Sequence, residues 1–252
     1  MAVNIVDCIS YMNKLLDINN FRDYCPNGLQ VEGRCDVNKI VSGVSVSQKL
    51  FAAAKSQQAD LILVHHGLFW YKQSMCITGV QQQRIKQLLA NDINLAAYHL
   101  PLDAHMQIGN NIKLAECLKA RYVEDLSDKK PSVGIVVELP VALSVAKLTE
   151  LIAKKLSKQP DVFLGDKKLI KKIAICSGAA QHDFLNAIEK KADAFITGEV
   201  SEFVPYLALE SGVHYFAAGH YATETFGVRA LGEKLSQQFG VEHEFIDIEN
   251  KV

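Results

Sequence analysis

Short runs of consecutive apolar residues alternate along this chain with stretches of helical periodicity, and that rhythm limits the fold more than any other feature. Residues 60–65 form a run of continuous apolar character, as expected of a strand covered on both faces. Residues 39–46, KIVSGVSV, and 93–98 read as further strands, and 47–57, 81–91 and 110–119 as helices between or after them. The first helix is announced by Ile5, Ile9, Met12 and Leu16 at helical spacing, with Asn4 placed to cap it. Strands joined through helices imply right-handed crossovers and a mainly parallel sheet. The polar stretch 126–131, LSDKKP, breaks the pattern; a strand over 133–139 restarts it, and a long helix over 223–239 and a strand over 241–248 close it.

Two internal echoes accompany the rhythm. Residues 96–103, AAYHLPLD, align with 217–224, AAGHYATE, at a constant offset of 121, so that H-x-x-x-D meets H-x-x-x-E. Residues 59–67, ADLILVHHG, echo 192–200, ADAFITGEV. The chain therefore reads as α/β, with two related α/β domains whose mainly parallel or mixed sheets are covered by helices. The first domain takes residues 1–126 plus 226–252 and the second 127–225, with the functional site expected in the cleft between them.

The residues that carry chemistry gather at strand ends, where sites form in open parallel sheets. Five of the eight histidines lie there. His65 and His66 end one apolar run, and Gly67 after them permits a sharp turn beside an ion. Side chains alternate along a strand, so neighbouring histidines address two ions, or one ligates while the other orients. His99 and Asp103 are separated by Pro101, which argues against a continuous helix and places the pair in a strand-to-loop turn. His220 and Glu224 stand four apart at the start of a helix, where both reach one cation. Neutral imidazole suits zinc, iron, manganese or nickel. A carboxylate between two cations balances their charge and leaves positions for water. Each pair read alone is equally a histidine–carboxylate hydrogen bond; the clustering favours metal.

HHGLFW, AAYHLPLDAH, FITGEV, GHYATETFG and the early NGLQVEG together resemble the NIF3-like family, whose members also carry the name GTP cyclohydrolase 1 type 2 homolog. The resemblance spans essentially the whole chain and is to the short form, without a long inserted middle domain. It implies two divalent metal ions per chain, ligated by His65, His66, Asp103, His220 and Glu224, with Glu224 as the bridge. It places His99 beside the ions or facing substrate, and it implies that the two α/β domains are interlinked and that the chain forms a ring-shaped homohexamer. His99 and His105 are the candidate catalytic proton carriers.

Composition narrows the functions. The formal net charge is −1 and both signs are mixed along the chain, so no global field draws it to nucleic acid or membrane. KKLIKK (167–172) reads as a solvated edge. The six cysteines at 8, 25, 35, 76, 117 and 176 form no C-x-x-C and read as small buried hydrophobes. With no export signal and no long apolar segment, a cytoplasmic protein is expected. Asn27-Gly28 marks a turn, and Phe69 and Trp70 read as packing beneath the metal strand or as a platform for a purine. His182, His214 and His243 read as structural or surface residues. Two readings stand. One is a dinuclear hydrolase acting on a purine nucleotide, cyclohydrolase-like or directed at damaged nucleotides. The other is a non-enzymatic metal-binding ring with a nucleic-acid or protein partner.

Overall fold

The structure is a computed structural model that describes residues 2–252. Its elements run β1 (Val3–Asn4), α1 (Ile5–Leu15), β2 (Gly28–Val31), β3 (Asp36–Val37), β4 (Lys39–Ser45), α2 (Gln48–Ser56), β5 (Leu61–His66), α3 (Gly79–Ala90), β6 (Asn94–Ala97), α4 (Leu100–Ala104) and α5 (Asn110–Cys117). They continue with β7 (Arg121–Asp125), β8 (Ile135–Leu143), α6 (Val145–Leu156), β9 (Asp161–Phe163), β10 (Ile170–Ile175), α7 (Phe184–Glu189), β11 (Ala194–Thr197), α8 (Val204–Ser211), β12 (His214–Ala217), α9 (His220–Thr223), α10 (Thr225–Phe239) and β13 (Glu242–Phe245). Asn4 caps α1 by accepting from the Val6 N–H at 2.8 Å, and Ser47 caps α2 through Leu50 N–H at 3.1 Å.

The chain divides into two compact units. The first runs up to Leu102 and takes in Gly227–Glu249; the second comprises Asp103–Phe226 and Asn250–Val252. Because the chain leaves the first unit and returns to it, the two are interlinked. The polar break at 126–131 suggests that residues 103–126 belong to the first unit; they belong to the second. β7 pairs antiparallel with β8, and Leu114, Ala115 and Leu118 pack against Ile135 and Val137 of the second unit's core. The polar stretch is the connection of a hairpin, and hairpin tips are polar for the same reason that linkers are: both face water.

In the first unit the sheet order is β13-β4-β5-β6-β2; β13, β4, β5 and β6 are parallel and β2 lies antiparallel against β6. In the second the order is β7-β8-β10-β11-β12-β9; β10, β11 and β12 are parallel and β9 lies antiparallel against β12. In each unit an edge strand, β2 or β9, is followed in sequence by three parallel strands and pairs with the third of them. Leu61 to Val64 on β5 are wholly buried. In the second unit Ile135, Val137 and Leu139 face one apolar cluster, while Val136 faces the other, so that sheet is covered on both faces.

The echoed sequences make the same hydrogen bonds in both units. Asp60 accepts from the Asn38 and Lys39 N–H groups, and Asp193 accepts from those of Lys171 and Lys172. The N–H of Asp60 donates to Lys39 O and that of Asp193 to Lys172 O; Asn94 N–H donates to Asp60 O and His214 N–H to Asp193 O. No helix among the described residues is long and apolar enough to cross a membrane.

Candidate metal centre

Three histidines of the first unit meet at the carboxyl ends of its parallel strands. His65 is fully buried, and its Nδ1 donates to Tyr98 O at 2.9 Å. His66, the last residue of β5, has its Nδ1 2.8 Å from Ser45 Oγ on the neighbouring strand. His99 follows β6; its Nδ1 donates to Asp23 Oδ1 at 2.8 Å and its backbone N–H to Asn27 Oδ1 at 2.8 Å. The ring centroids of His65 and His66 are 4.7 Å apart and those of His65 and His99 5.0 Å. One nitrogen from each ring lies within 4.8 Å of the others. Strand alternation sends His65 and His66 to opposite faces; at the terminal residue of β5 the pleat no longer enforces it, and the two converge.

The second unit carries the carboxylates. Asp103 lies on α4, so the segment after β6 is a short helix and not the loop turn the proline suggests. Pro101 sits in its first turn, where the missing N–H leaves no bond unmade. Asp103 Oδ1 accepts from Asn110 Nδ2 at 2.7 Å and Ser177 Oγ at 3.1 Å. His220 opens α9, with its Nδ1 donating to Glu199 Oε1 at 2.6 Å and its Nε2 3.1 Å from Glu224 Oε2. The long helix expected over 223–239 forms as α10; the short α9 before it ends at Thr223, and Glu224, at φ −115° and ψ 7°, stands between the two. Asp103 and Glu224 are 5% and 2% exposed, and an oxygen of each lies within 4.8 Å of the other. Two buried carboxylates this close repel each other unless cationic charge lies between them. Gly178, at φ +70°, makes the room: a Cβ there would stand 2.3 Å from Glu224 Oε1.

The electrostatics follow from these contacts. Burial pulls the His220 imidazole down, but the Glu224 and Glu199 carboxylates outweigh it and bring its pKa up to about 9. Burial pushes the Asp23 carboxyl up, and hydrogen bonds from His99, Asn27 and Cys25 outweigh that and hold it below the usual carboxylate range.

The donor set fits a divalent metal. Each of the four histidines has its Nδ1 engaged by a partner outside the cluster: Tyr98 O, Ser45 Oγ, Asp23 or Glu199. On a neutral ring whose Nδ1 proton is given away, the lone pair sits on Nε2, and such outer partners fix ligand histidines in metal sites. Asp23, Ser45, Glu199, Asn110, Ser177 and Gly178 escape the sequence reading as site residues. Glu199 alone left a signal, as the acid in FITGEV beyond a buried strand.

Other expectations are corrected or localised. Gly67 makes room for Gln30 rather than for an ion: Gln30 Oε1 would lie 2.3 Å from a Cβ there, and it accepts from Leu68 N–H. Asn27 holds the backbone at His99. His105 Nδ1 accepts from the Gln107 and Ile108 N–H groups at 3.1 and 3.3 Å, so it caps the turn between α4 and α5. Phe69 and Trp70 pack against the first unit's core. Cys8, Cys25 and Cys176 are buried, but Cys35 and Cys76 are exposed, so the thiols are not uniformly core residues.

Comparison with known proteins places these residues in a family. The family model Duf34/NIF3 (NGG1p interacting factor 3) matches residues 3–251. A Haemophilus influenzae protein named GTP cyclohydrolase 1 type 2 homolog is 44% identical over 249 residues, covering 98% of this chain and 99% of that one. A Pseudomonas aeruginosa protein of the same name is 43% identical over 251 residues, covering 99% of each. Among solved structures, the protein ybgI, described as of unknown function, superimposes with a TM-score of 0.95 at 39% identity, covering 99% of this chain and 100% of that one. The structure of TTHA1606 from Thermus thermophilus gives a TM-score of 0.88 at 32% identity, with 99% and 100% covered. With a family model matched nearly end to end, the chain belongs to the Duf34/NIF3 (NGG1p interacting factor 3) family.

Proposed function

We propose that this protein is a dinuclear metal-dependent hydrolase acting on a small heterocyclic substrate of the purine nucleotide class, with His65, His66, Asp103, His220 and Glu224 as ligands. The observation that carries the reading is the set of four imidazoles, each oriented through Nδ1 by a separate partner. Histidines that serve only packing do not need four independent orienting groups. Charge supplies the second argument. Imidazole ligands bring no charge of their own, so a pair of dications also requires the negative charge that carboxylates such as Asp103 and Glu224 provide. Zinc, iron, manganese and nickel all accept such donors. Bound there with open positions, two cations would polarise water and lower its pKa toward neutrality.

The chain's own residues have separable roles. Asp103 is fixed by Asn110 and Ser177, so its second oxygen keeps one direction. Glu224, on the short break between α9 and α10, would hold both ions through its carboxylate. His99 is braced by Asp23 as general acids and bases are braced, and it moves the proton to or from the substrate. The relatives' name supports ring-opening hydrolysis of a purine nucleotide.

Elemental analysis of protein purified without chelator and reconstituted with each metal is the test. About two ions per chain are expected, falling by at least one in Glu224→Gln with the fold intact. A stoichiometry at or below one after reconstitution overturns the dinuclear reading. A panel of nucleotides, phosphoesters and cyclic amides then tests turnover, which His65→Ala and His220→Ala abolish if the reading holds. His99→Ala and Asp23→Asn lower the rate while leaving metal content near that of the unaltered protein.

A further inference from the structure

A pocket of about 370 Å³ opens beside His66 in the first unit, lined by Ser45, His66, Trp70, Gln73, Gln81 and Arg84 among others. Its volume is in the range of small-molecule sites. Arg84, on α3, is half-buried, and its Nε is shielded from solvent and has no hydrogen-bond partner. No Asp, Glu or Lys lines the pocket among the described residues. A guanidinium N–H taken out of water without an acceptor costs free energy. Its planar fork matches the two oxygens of a carboxylate or phosphoryl group. Trp70 forms another wall; its indole N–H donates to Gly67 O at 3.1 Å, which fixes the ring, and its centroid lies 5.8 Å from that of His66. A fixed indole offers a flat ring a stacking surface. The amides of Gln73 and Gln81 add donors and acceptors that suit a heterocycle's edge.

We propose that this pocket is the specificity subsite of the metal centre, binding one oxyanion of the substrate on Arg84 and a planar ring against Trp70. The inference deepens the hydrolase reading and rests on it for the word substrate, while the anion site itself stands on the pocket alone. A single cation with no lysine beside it matches one phosphoryl or carboxylate group. Within the pocket itself a triphosphate would meet only the one cationic side chain, Arg84. The substrate class is therefore a planar heterocyclic molecule that bears one oxyanion group, such as a nucleoside monophosphate or a heterocyclic carboxylate.

Trp70 is the only tryptophan of the chain, so its emission reports on this pocket directly. The full-length, metal-reconstituted protein is titrated with GMP, guanosine, GTP and nicotinate, with calorimetry in parallel. A saturable change with GMP assigns the anion as phosphoryl, and one with nicotinate as carboxylate. In Arg84→Gln that affinity falls about tenfold or more, the loss expected when one charge-assisted fork is removed. Guanosine binds both proteins alike, metal content is unchanged, and Arg84→Lys gives an intermediate loss, which separates recognition from misfolding. The proposal is overturned if neither anion perturbs Trp70, if Arg84→Gln binds as tightly as the unaltered protein, or if GTP binds far more tightly than GMP through Arg84. An Arg84-dependent response in protein that holds no metal keeps the anion site and sinks the hydrolase reading. Full metal content with no response does the reverse.

Discussion

Two histidines in this chain are displaced in opposite directions, and each sets its own pH dependence. His220 lies between Glu224 and Glu199, and its pKa is raised to about 9 in the metal-free protein. A raised pKa contributes stability that is complete below the unfolded value near ~6.5 and is lost as pH rises through the folded one. Metal-free protein is therefore expected to lose stability between about pH 7 and 9, whereas metal affinity rises over the same window because uptake displaces the proton. Denaturation midpoints of chelator-treated and metal-loaded samples measured across that range check it; parallel curves would show that His220 meets no metal. His243 is the opposite case. Burial, then the charge of Arg229, lowers its pKa to about 4, and its Nε2 sits 2.7 Å from Ser42 Oγ. A depressed histidine contributes nothing to pH dependence above ~6.5 and costs stability as pH falls from there toward its folded value, because the unfolded chain takes the proton first. A His243→Asn variant should flatten the decline between about pH 6.5 and 4.

At the scale of elements, the repeat is carried by a few polar groups at strand starts. Gly33 N–H donates to Asn94 Oδ1 at 2.8 Å, and Gly165 N–H donates to His214 Nδ1 at 3.0 Å. Asn94 Nδ2 then donates to Arg34 O at 2.8 Å, and His214 Nε2 to Lys167 O at 2.7 Å. Two different side chains thus play one structural role, since each spans from the first residue of the third parallel strand to the segment following the edge strand. The glycines are equally matched. A Cβ on Gly33 would stand 2.7 Å from the Asp92 backbone, and one on Gly165 would stand 2.2 Å from Gly212 O. Backbone cannot yield as a side-chain tip can, so Gly33→Ala and Gly165→Ala should each cost about 1–3 kcal/mol, read from urea midpoints. If either is neutral, the close approach is not required. Asp60→Ala and Asp193→Ala, which leave backbone donors at strand starts unsatisfied, should lower stability in the same direction.

At the scale of the whole molecule, the chain crosses from the first unit to the second between Leu102 and Asp103 and returns at Gly227. The second unit exposes Val141, Leu164, Leu169, Leu185, Tyr206 and Leu209. Exposed apolar side chains of this size are material for association, and a ring-shaped hexamer is the proposed assembly. Light scattering at micromolar concentration should return a multiple of 27.9 kDa; a single chain in solution refutes it. The sequence by itself determined the local features: Asn4 as a cap, buried β5, the β-α alternation and the duplicated H-x-x-x-acid. Each is set by residues close along the chain, through periodicity and capping. The sequence also supplied His65, His66, His99, Asp103, His220 and Glu224, because ligand-type side chains at strand ends are rare enough to notice. Only the tertiary structure decided the rest. It moved the unit boundary, since LSDKKP is as polar in a hairpin as in a linker and only the pairing of β7 with β8 tells them apart. It set Glu224 between a separate short helix, α9, and the long helix that the sequence predicts. It brought Asp23 to His99 and Glu199 to His220 across long separations in the chain, and it left the Arg84 Nε beside a pocket without an acceptor. Such contacts depend on where the backbone goes between distant residues, and no local pattern of side chains encodes that.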